Sequence, residues 1–228
     1  DLESALGLED SGVLHDLVVN SATPPNVAAA ALLAMEAGKD PRLNETVDVA
    51  LASGKADLRT TAIRLLSSRP DAAAKFDALL TSGSVADQQA VFDSLGTIDT
   101  PAAQQILATW MDKLIAGNVA PPLQLDLLEA AGKSKSDAVK TKVKQYTDGL
   151  SKSDPLAAYR ESLQGGDPAQ GSKIFHERQD VSCLRCHKIG GTGGVVGPDL
   201  TGVGSRHDNT YLLESIVNPS SMIAPGFE

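Results

Sequence analysis

The sequence has few aromatic residues, only two cysteines and no long apolar run. Aromatic residues make up 4% of the 228 residues although 42% are hydrophobic, so a core would be filled mainly by Ala, Leu, Val and Ile. That composition is typical of stacked helices rather than of a β-sandwich. Two cysteines exclude a disulfide framework. No stretch approaches the roughly 20 apolar residues that cross a bilayer, so no transmembrane segment is expected.

Basic residues are also in the minority. The chain has 20 Lys and Arg against 29 Asp and Glu, which gives a formal net charge of −9. Because contacts to phosphate need Lys and Arg, this balance argues against a nucleic-acid partner. It also disfavours anionic membrane surfaces and favours a basic or neutral protein partner.

The two ends of the sequence carry no recognisable processing or capping pattern. Asp1 is not preceded by a basic and apolar leader, and the chain stops at Glu228 where a domain is expected to continue. We therefore expect either that a signal peptide has been removed or that the chain is part of a longer protein, truncated in its C-terminal domain.

Residues 1–163 predict one short helix after another. Apolar residues recur at the spacing of an amphipathic helix, as in the segment that begins at Asp57. Ser84 opens a pattern like a capping box, and Thr100–Pro101 combines an N-cap with proline at the first helical position. Taken in pairs, the predicted helices form hairpins that start near residues 26, 57, 84 and 121.

Each of these hairpins is too small to bury its own apolar face, so neighbours must stack. The arrangement resembles HEAT or armadillo repeats. We therefore predict an all-α protein with an α-solenoid in residues 1–163; the alternative is a closed helical bundle. Glycine becomes frequent after about residue 164, which is typical of a chain that turns tightly around something. A second domain is predicted in residues 164–228.

The strongest chemical feature lies in this second part, where Cys183–Leu184–Arg185–Cys186–His187 forms a C-x-x-C-H motif. Two thiols at i and i+3 lie on one face of a helical turn, at a spacing that lets each bond to a vinyl group of heme. The following imidazole can then ligate the iron. The motif predicts one covalently bound heme c per chain, held by Cys183, Cys186 and His187, with His187 as the proximal iron ligand.

The motif has three other interpretations. A thioredoxin-like redox pair needs a preceding strand in a βαβ unit, which the sequence lacks. A structural zinc site needs four ligands; His176 or His207 could complete the number, but the adjacent Cys186 and His187 would bind one tetrahedral ion awkwardly. A disulfide between Cys183 and Cys186 is the third alternative, if heme is not attached.

About residues 165 to 228 resemble class I cytochromes c. Three segments carry the resemblance, to the first helix, to the loop after the heme motif and to the next helix: Gly166–Phe175, Gly197–Val203 and Tyr211–Pro219. The resemblance implies that Gly171 and Phe175 let the first helix pack closely on another. It also implies that the carbonyl of Pro198 accepts a hydrogen bond from His187 and so fixes the orientation of the imidazole.

The second axial ligand of the iron is not evident. The cytochrome family usually supplies a methionine in a Met-Pro setting further along than this chain extends, in a position that sets potential and reactivity. Met222 is the only methionine in the module and is the candidate distal ligand; the alternative is a packing side chain. His176 and His207 are the alternatives for a bis-histidine site.

Helical repeats followed by a cytochrome c module also resemble the PVC-type heme-binding proteins, in which such modules are fused to a sorbosone-dehydrogenase-like propeller. The resemblance implies electron transfer through one heme, in a module of, or partner to, an extracytoplasmic dehydrogenase. Because thioether attachment in bacteria takes place outside the cytoplasmic membrane, a periplasmic location is expected.

No nucleophile motif, phosphate loop or carboxylate pair accompanies the heme motif. An electron-transfer protein, or the non-catalytic part of an oxidoreductase, is therefore expected rather than an enzyme. Two alternatives remain. One is a heme enzyme or sensor that uses an open sixth position for peroxide or a small gas. The other is a helical-repeat scaffold that binds a protein partner.

Overall fold

A computed structural model describes residues 12–227, and most of their regular structure is helical. The chain divides into two compact units, one that ends at Tyr146 and one that begins at Thr147. The boundary expected near residue 164 lies inside the second unit, and the assignment of domains to 1–163 and 164–228 stays a prediction. Residues 1–11 and 228 of those domains lie outside the described residues.

The first unit is built from short helices joined by tight turns. A 3₁₀ turn, Leu66–Ser68, extends the fourth helix, and the last two residues of the ninth helix fall in the second unit. None of the helices in the described part of the chain is both long enough and apolar enough to cross a bilayer. In chain order the helices are α1 (Val13–Val19), α2 (Pro25–Ala37), α3 (Leu43–Leu51), α4 (Ala56–Leu65), α5 (Ala72–Ser82), α6 (Val85–Leu95), α7 (Pro101–Ile115), α8 (Pro121–Lys133) and α9 (Asp137–Asp148).

These helices pack with a regular neighbour pattern. Helix α2 contacts α4, α4 contacts α6 and α6 contacts α8, so the even-numbered helices lie side by side. Helices α3, α5 and α7 each pack against the even-numbered helix that follows them, and α5 also contacts α7. Contact between each helix and the next but one is what stacked hairpins require. The mainly helical fold is confirmed, and the assignment to HEAT or armadillo repeats stays a prediction.

Most helix starts agree with the sequence patterns, but two helices were missed. Helices α2, α4, α6, α7 and α8 begin within a residue or two of the positions predicted for them. Helix α1 has only seven residues, too few for a clear periodicity. Helix α3 carries Leu43, Val47 and Ala50 at helical spacing, and Val47 and Ala50 are buried, so that pattern was available in the sequence.

The core of the first unit consists mainly of aliphatic side chains, as the low aromatic content predicted. Among the aromatic contacts of the unit, the ring of Phe92 meets the ring of Trp110 edge-on, with centroids 5.4 Å apart. The largest fully buried side chains are those of Phe76, Phe92, Leu32, Met35, Leu58, Ile63, Leu66, Leu80, Leu95, Leu107, Met111 and Leu127.

A buried carboxylate joins α4 to the start of α6. Ser84 and Asp87 form a complete capping box, in which each side chain bonds the backbone N–H of the other. The guanidinium of Arg59 donates from Nε to both carboxylate oxygens of Asp87, at 3.1 and 3.2 Å, and from a terminal nitrogen to the carbonyl of Ser53. Burial opposes ionisation of Asp87, but the hydrogen bonds from Ser84 and Arg59 outweigh it and hold its pKa below the usual value.

Replacement of Asp87 by alanine is expected to lower the free energy of unfolding of the helical unit by about 2–4 kcal/mol, since both a cap and a buried ion pair are lost. Trp110 is the only tryptophan in the chain, so its fluorescence during urea unfolding reports this unit alone. Asp77→Ala, which removes an exposed carboxylate from α5, is the matched control and should leave the midpoint within error.

The same ion pair makes the effect depend on pH. Because the folded pKa of Asp87 lies below its unfolded value of about 3.9, the stabilisation is complete above that unfolded value. It is lost as pH falls through the folded pKa. The difference between wild type and Asp87→Ala should therefore shrink between pH 6 and pH 3. A difference that is constant over this range would contradict the role of the charged carboxylate.

The second unit contains short elements separated by glycine-rich turns. The two-stranded antiparallel hairpin pairs Lys188 with Gly193 and Ile189 with Thr192. The all-α prediction did not include this hairpin. Gly190 and Gly191, both with positive φ, form the two-residue turn that such a hairpin prefers. The elements are a 3₁₀ turn (Arg160–Leu163), α10 (Pro168–Glu177), α11 (Cys183–Cys186), β1 (Lys188–Ile189), β2 (Thr192–Gly193), α12 (Val203–Arg206) and α13 (Asn209–Val217).

Candidate functional site

The C-x-x-C-H residues form a single helical turn followed by an extended residue. Helix α11 spans only Cys183–Cys186, and the N–H of His187 bonds the carbonyl of Cys183 at 3.0 Å. Both cysteines are free thiols; Cys186 is exposed and Cys183 is half-buried. The two thiols therefore lie on one helical turn and the imidazole follows at its end, as the C-x-x-C-H motif predicted.

A glycine-rich segment lies directly against this turn. The N–H of Gly194 bonds the carbonyl of Leu184 at 2.9 Å, and the N–H of Gly197 bonds that of Cys186 at 2.8 Å. A Cβ atom added to Gly194 would lie 2.2 Å from the carbonyl oxygen of Arg185, a distance that no side chain can occupy. The glycines are therefore needed because two backbone segments approach too closely for any larger residue.

The imidazole of His187 is held by the same segment. Its Nδ1 lies 3.0 Å from the carbonyl oxygen of Pro198, so the hydrogen bond implied by the resemblance is present. A carbonyl can only accept, which places the proton on Nδ1 and leaves the lone pair of Nε2 free to ligate a metal. A Cβ on Gly197 would lie 2.8 Å from Cε1 of His187, so the ring is confined on that side too.

His187 opens into a cavity of about 400 Å³, within the range of roughly 300–1,000 Å³ that is typical of cofactor sites. Most of its lining is apolar, and the polar groups are concentrated around α12 and the start of α13. The lining consists of His187, Pro198, Asp199, Leu200, Val203, Arg206, His207, Tyr211, Leu212, Ser215, Pro219, Met222, Ile223, Ala224 and Phe227.

Comparison with models of protein families matches residues 168–227 to Cytochrome c. These residues form a cytochrome c domain. The match includes the C-x-x-C-H turn, the glycine segment and the cavity lining, and it includes none of the helices α1 to α9. A cytochrome c domain implies covalently bound heme c and supports heme-based electron transfer in general. Comparison with curated proteins found no match, and comparison with solved structures found none either.

The residues of the cytochrome c domain fit a heme. Two thiols on one turn, an imidazole with a free Nε2 and a mainly apolar cavity are the groups that such a cofactor requires. Moreover, no side chain within residues 164–227 is fully buried, so in this range the polypeptide packs no core of its own. A flat apolar group that filled the cavity would supply that core.

Two of the three candidate distal ligands line this cavity. Met222 is 45% exposed there. His207 also lines it, with its ring stacked on that of Tyr211 at a centroid distance of 3.7 Å. His176 is not in the lining, and its Nδ1 bonds the carbonyl of Ser172 within α10 at 2.8 Å. The structure thus brings Met222 and His207, but not His176, to the cavity of His187.

The zinc alternative finds no support in the geometry. Within residues 12–227, no group of three or more His, Cys, Asp or Glu side chains is arranged to hold a metal ion. A structural zinc site needs four ligands around one point. His187 is instead directed to Pro198 and the cavity, which is the arrangement of a histidine that ligates a cofactor metal.

Two expectations about individual residues differ from the structure. Gly171 was expected to allow close helix packing, but a Cβ there would meet nothing within 4 Å, because no described segment packs against that point of α10. Tyr211 and Leu212 were not identified as site residues, although both line the cavity. Their spacing to Ser215 follows one face of α13 and is visible in the sequence.

Gly197→Ala is expected to displace the imidazole of His187, since the new methyl would overlap the ring. We expect weaker iron ligation, seen as a partial shift of the ferric heme spectrum to high spin. The free energy of unfolding followed at the heme absorption band should fall by about 1–3 kcal/mol. Gly204→Ala is the control, because a Cβ at Gly204 meets nothing within 4 Å; equal spectra for the two variants would contradict the contact.

Proposed function

We propose that this protein transfers single electrons through one heme c bound by Cys183, Cys186 and His187. The observation that carries the proposal is the His187 imidazole, whose Nδ1 donates to Pro198 while its other nitrogen is free, on the cavity wall of a cytochrome c domain. One heme per chain is proposed because the sequence holds one C-x-x-C-H motif and only two cysteines.

The bound heme would supply reversible one-electron chemistry at its iron. Cys183 and Cys186 would hold it covalently, so that it stays in place through repeated cycles. Pro198 keeps the proton on Nδ1 of His187 and orients the ring, and a hydrogen bond of this kind raises the basicity of the ligating nitrogen. Apolar side chains in the lining, such as Leu200, Val203 and Leu212, keep water from the cavity and limit the reorganisation that accompanies a change of charge.

Electron transfer is favoured over peroxide or gas chemistry by the contents of the cavity. Met222 lies in its lining, and a methionine that ligates the iron closes the sixth position and raises the potential. We therefore keep Met222 as the proposed distal ligand, with His207 as the alternative. The heme enzyme or sensor remains the second candidate function, and an open sixth position would favour it.

The wider setting is also proposed. The layered packing of α2 to α8 supports a HEAT-type scaffold, and such a scaffold would hold the cytochrome c domain near a dehydrogenase that donates electrons. A periplasmic or other extracytoplasmic location is proposed because thioether attachment needs reduced thiols and delivered heme, which bacteria provide on that side of the membrane. No step in the site requires this chain to be an enzyme itself.

Expression in a host that matures c-type cytochromes should give a coloured protein whose mass exceeds that of the polypeptide by one heme. Spectroelectrochemical titration should fit a single reversible one-electron couple, since one iron changes its charge by one. Colourless material with the mass of the bare polypeptide would sink the proposal.

The matched control is the double variant Cys183→Ala/Cys186→Ala, which should stay colourless. No residue of 164–227 is fully buried, so we expect heme to supply the core of this domain. In the double variant, which lacks heme, the amides of α10 and α13 should therefore exchange hydrogen much faster than in the heme-loaded protein. The urea transition followed by Trp110, which lies in α7, should be unchanged. Equal protection of α13 with and without heme would contradict the role of heme as the core.

Met222→Ala tests the distal ligand. If Met222 ligates the iron, the ferric spectrum should change from low spin to high spin, and the midpoint potential should fall because thioether ligation favours the reduced state. His207→Ala is the paired variant and should keep the low-spin spectrum. An unchanged spectrum in Met222→Ala, with a change in His207→Ala, would assign the position to His207.

A further inference from the structure

The compact unit that holds the heme site begins before the family match. The unit starts at Thr147, whereas the match to Cytochrome c starts at residue 168. Part of the intervening chain, residues 154–163, is here called the strap, and it ends in the 3₁₀ turn Arg160–Leu163. The cavity of His187 is lined by residues between 187 and 227, so the strap has a different role in this unit.

The strap is folded on itself rather than extended. The carboxylate of Asp154 accepts hydrogen bonds from the N–H of Leu156 at 2.9 Å and from Nε of Arg160 at 2.8 Å. These two bonds hold the pKa of Asp154 below its usual value. The N–H of Tyr159 bonds the carbonyl of Leu156, and the N–H of Ser162 bonds the carbonyl of Tyr159. A segment with these internal bonds is expected to move as one piece.

Within residues 147–227, the fully buried side chains belong to the strap. Leu156 is 5% exposed, and Ala157 and Glu161 are each 8% exposed. By contrast, no side chain within residues 164–227 is fully buried. Because exposing buried apolar side chains costs free energy, the strap is held in place without heme, whereas the cytochrome c residues that follow it lack a packed core.

The end of the strap lies against the start of α13. The side-chain amide of Asn209, the first residue of α13, donates from Nδ2 to the carbonyl of Leu163 at 3.2 Å, and the two residues are 46 apart in sequence. Among the regular elements within residues 12–227, the 3₁₀ turn of the strap is the one that packs most closely on α13. The main neighbour of α13 thus lies outside the family match.

Helix α13 forms one wall of the cavity of His187. Its residues Tyr211 and Leu212 are part of the lining. The side chain of Asp208 caps the helix by accepting from the N–H of Tyr211. This cap fixes the conformation of the first turn, but it does not fix where the helix lies. The bond from Asn209 to the strap does so, within one turn of Tyr211.

We propose that the strap positions α13 for the heme, with Asn209 as the positioning residue that joins the two. The strap is the fixed element, and α13 is the element that it holds. Because this contact exists before heme is attached, less of the cavity wall has to be ordered when the heme enters. The proposal rests on the proposed function, since the bound heme is what the positioned wall contacts.

The test compares Asn209→Ala with Thr210→Ala in the heme-loaded protein. Thr210 is the next residue of α13 and is exposed, so both variants place alanine in the same helical turn and only the first removes the bond to Leu163. Amides of α13 should exchange hydrogen about three- to tenfold faster in Asn209→Ala than in the control. Circular dichroism in the heme absorption band should change only in Asn209→Ala, because Tyr211 and Leu212 shift relative to the heme.

A second variant changes the contact from the other side. Asp154→Ala removes the acceptor for Leu156 and Arg160 and so loosens the strap without altering a residue of the cavity lining. It should give faster exchange in α13 and the same change in the heme-band circular dichroism as Asn209→Ala. A strap that only filled space in its own segment would leave both signals at the wild-type values.

The heme-free variant Cys183→Ala/Cys186→Ala tests whether the strap is the fixed element. The amides of Tyr159 and Ser162 should keep their protection in this variant, whereas those of α13 should lose theirs. Exchange in the strap as fast as in α13 would overturn the proposal. So would Asn209→Ala and Asp154→Ala proteins that match Thr210→Ala in exchange and in the heme band.

Failure of the proposed function would look different. A wild-type protein that carries no heme, after expression in a host that matures c-type cytochromes, would defeat electron transfer through heme. The bond between Asn209 and the strap could still be measured in that material, because the difference in α13 exchange between Asn209→Ala and Thr210→Ala does not depend on a spectrum of the cofactor.

Discussion

The hydrogen bond from His187 to the carbonyl of Pro198 is the contact on which the arrangement of the cytochrome c domain depends. It can form only because the segment that carries Pro198 lies close against the C-x-x-C-H turn, and that approach leaves no room for a Cβ at Gly194 or Gly197. Backbone, rather than a side-chain partner, therefore orients the imidazole. The direction of the His187 ring is thus set by the packing of two backbone segments against each other.

The two units obtain their stability in different ways. The helical unit buries aliphatic side chains such as Leu32, Leu58 and Leu107 completely and ties α4 to α6 through the Arg59–Asp87 pair. The cytochrome c domain has the opposite character, since none of residues 164–227 is fully buried. A heme that binds only the folded state of this domain would stabilise that state.

This difference also bears on function. A domain whose apolar side chains surround a cavity can place a cofactor within a few residues of its surface, and Cys186 is exposed there. A sealed core of the kind found in the helical unit would bury a redox centre too deeply for contact with a partner. The residues that match a cytochrome c domain make up about a quarter of the chain.

Local features of the site and of the helices could be predicted from the sequence. The spacing of Cys183, Cys186 and His187 specifies its chemistry within five residues, and the caps at Ser84 and Thr100 mark helix starts within one turn. The resemblance to class I cytochromes further identified Pro198 as the partner of His187. These features are local, or follow from a motif of fixed length, so sequence alone is enough.

Long-range contacts could be found only in the tertiary structure. Arg59 and Asp87 are 28 residues apart, and no local pattern pairs them. His187 lines one cavity together with residues of α12, of α13 and of the chain that follows α13. Met222 and His207 belong to this lining, whereas His176 does not. Composition and periodicity determined which elements form and which cofactor chemistry they carry, whereas packing between distant segments decided which side chains share a cavity and which face solvent.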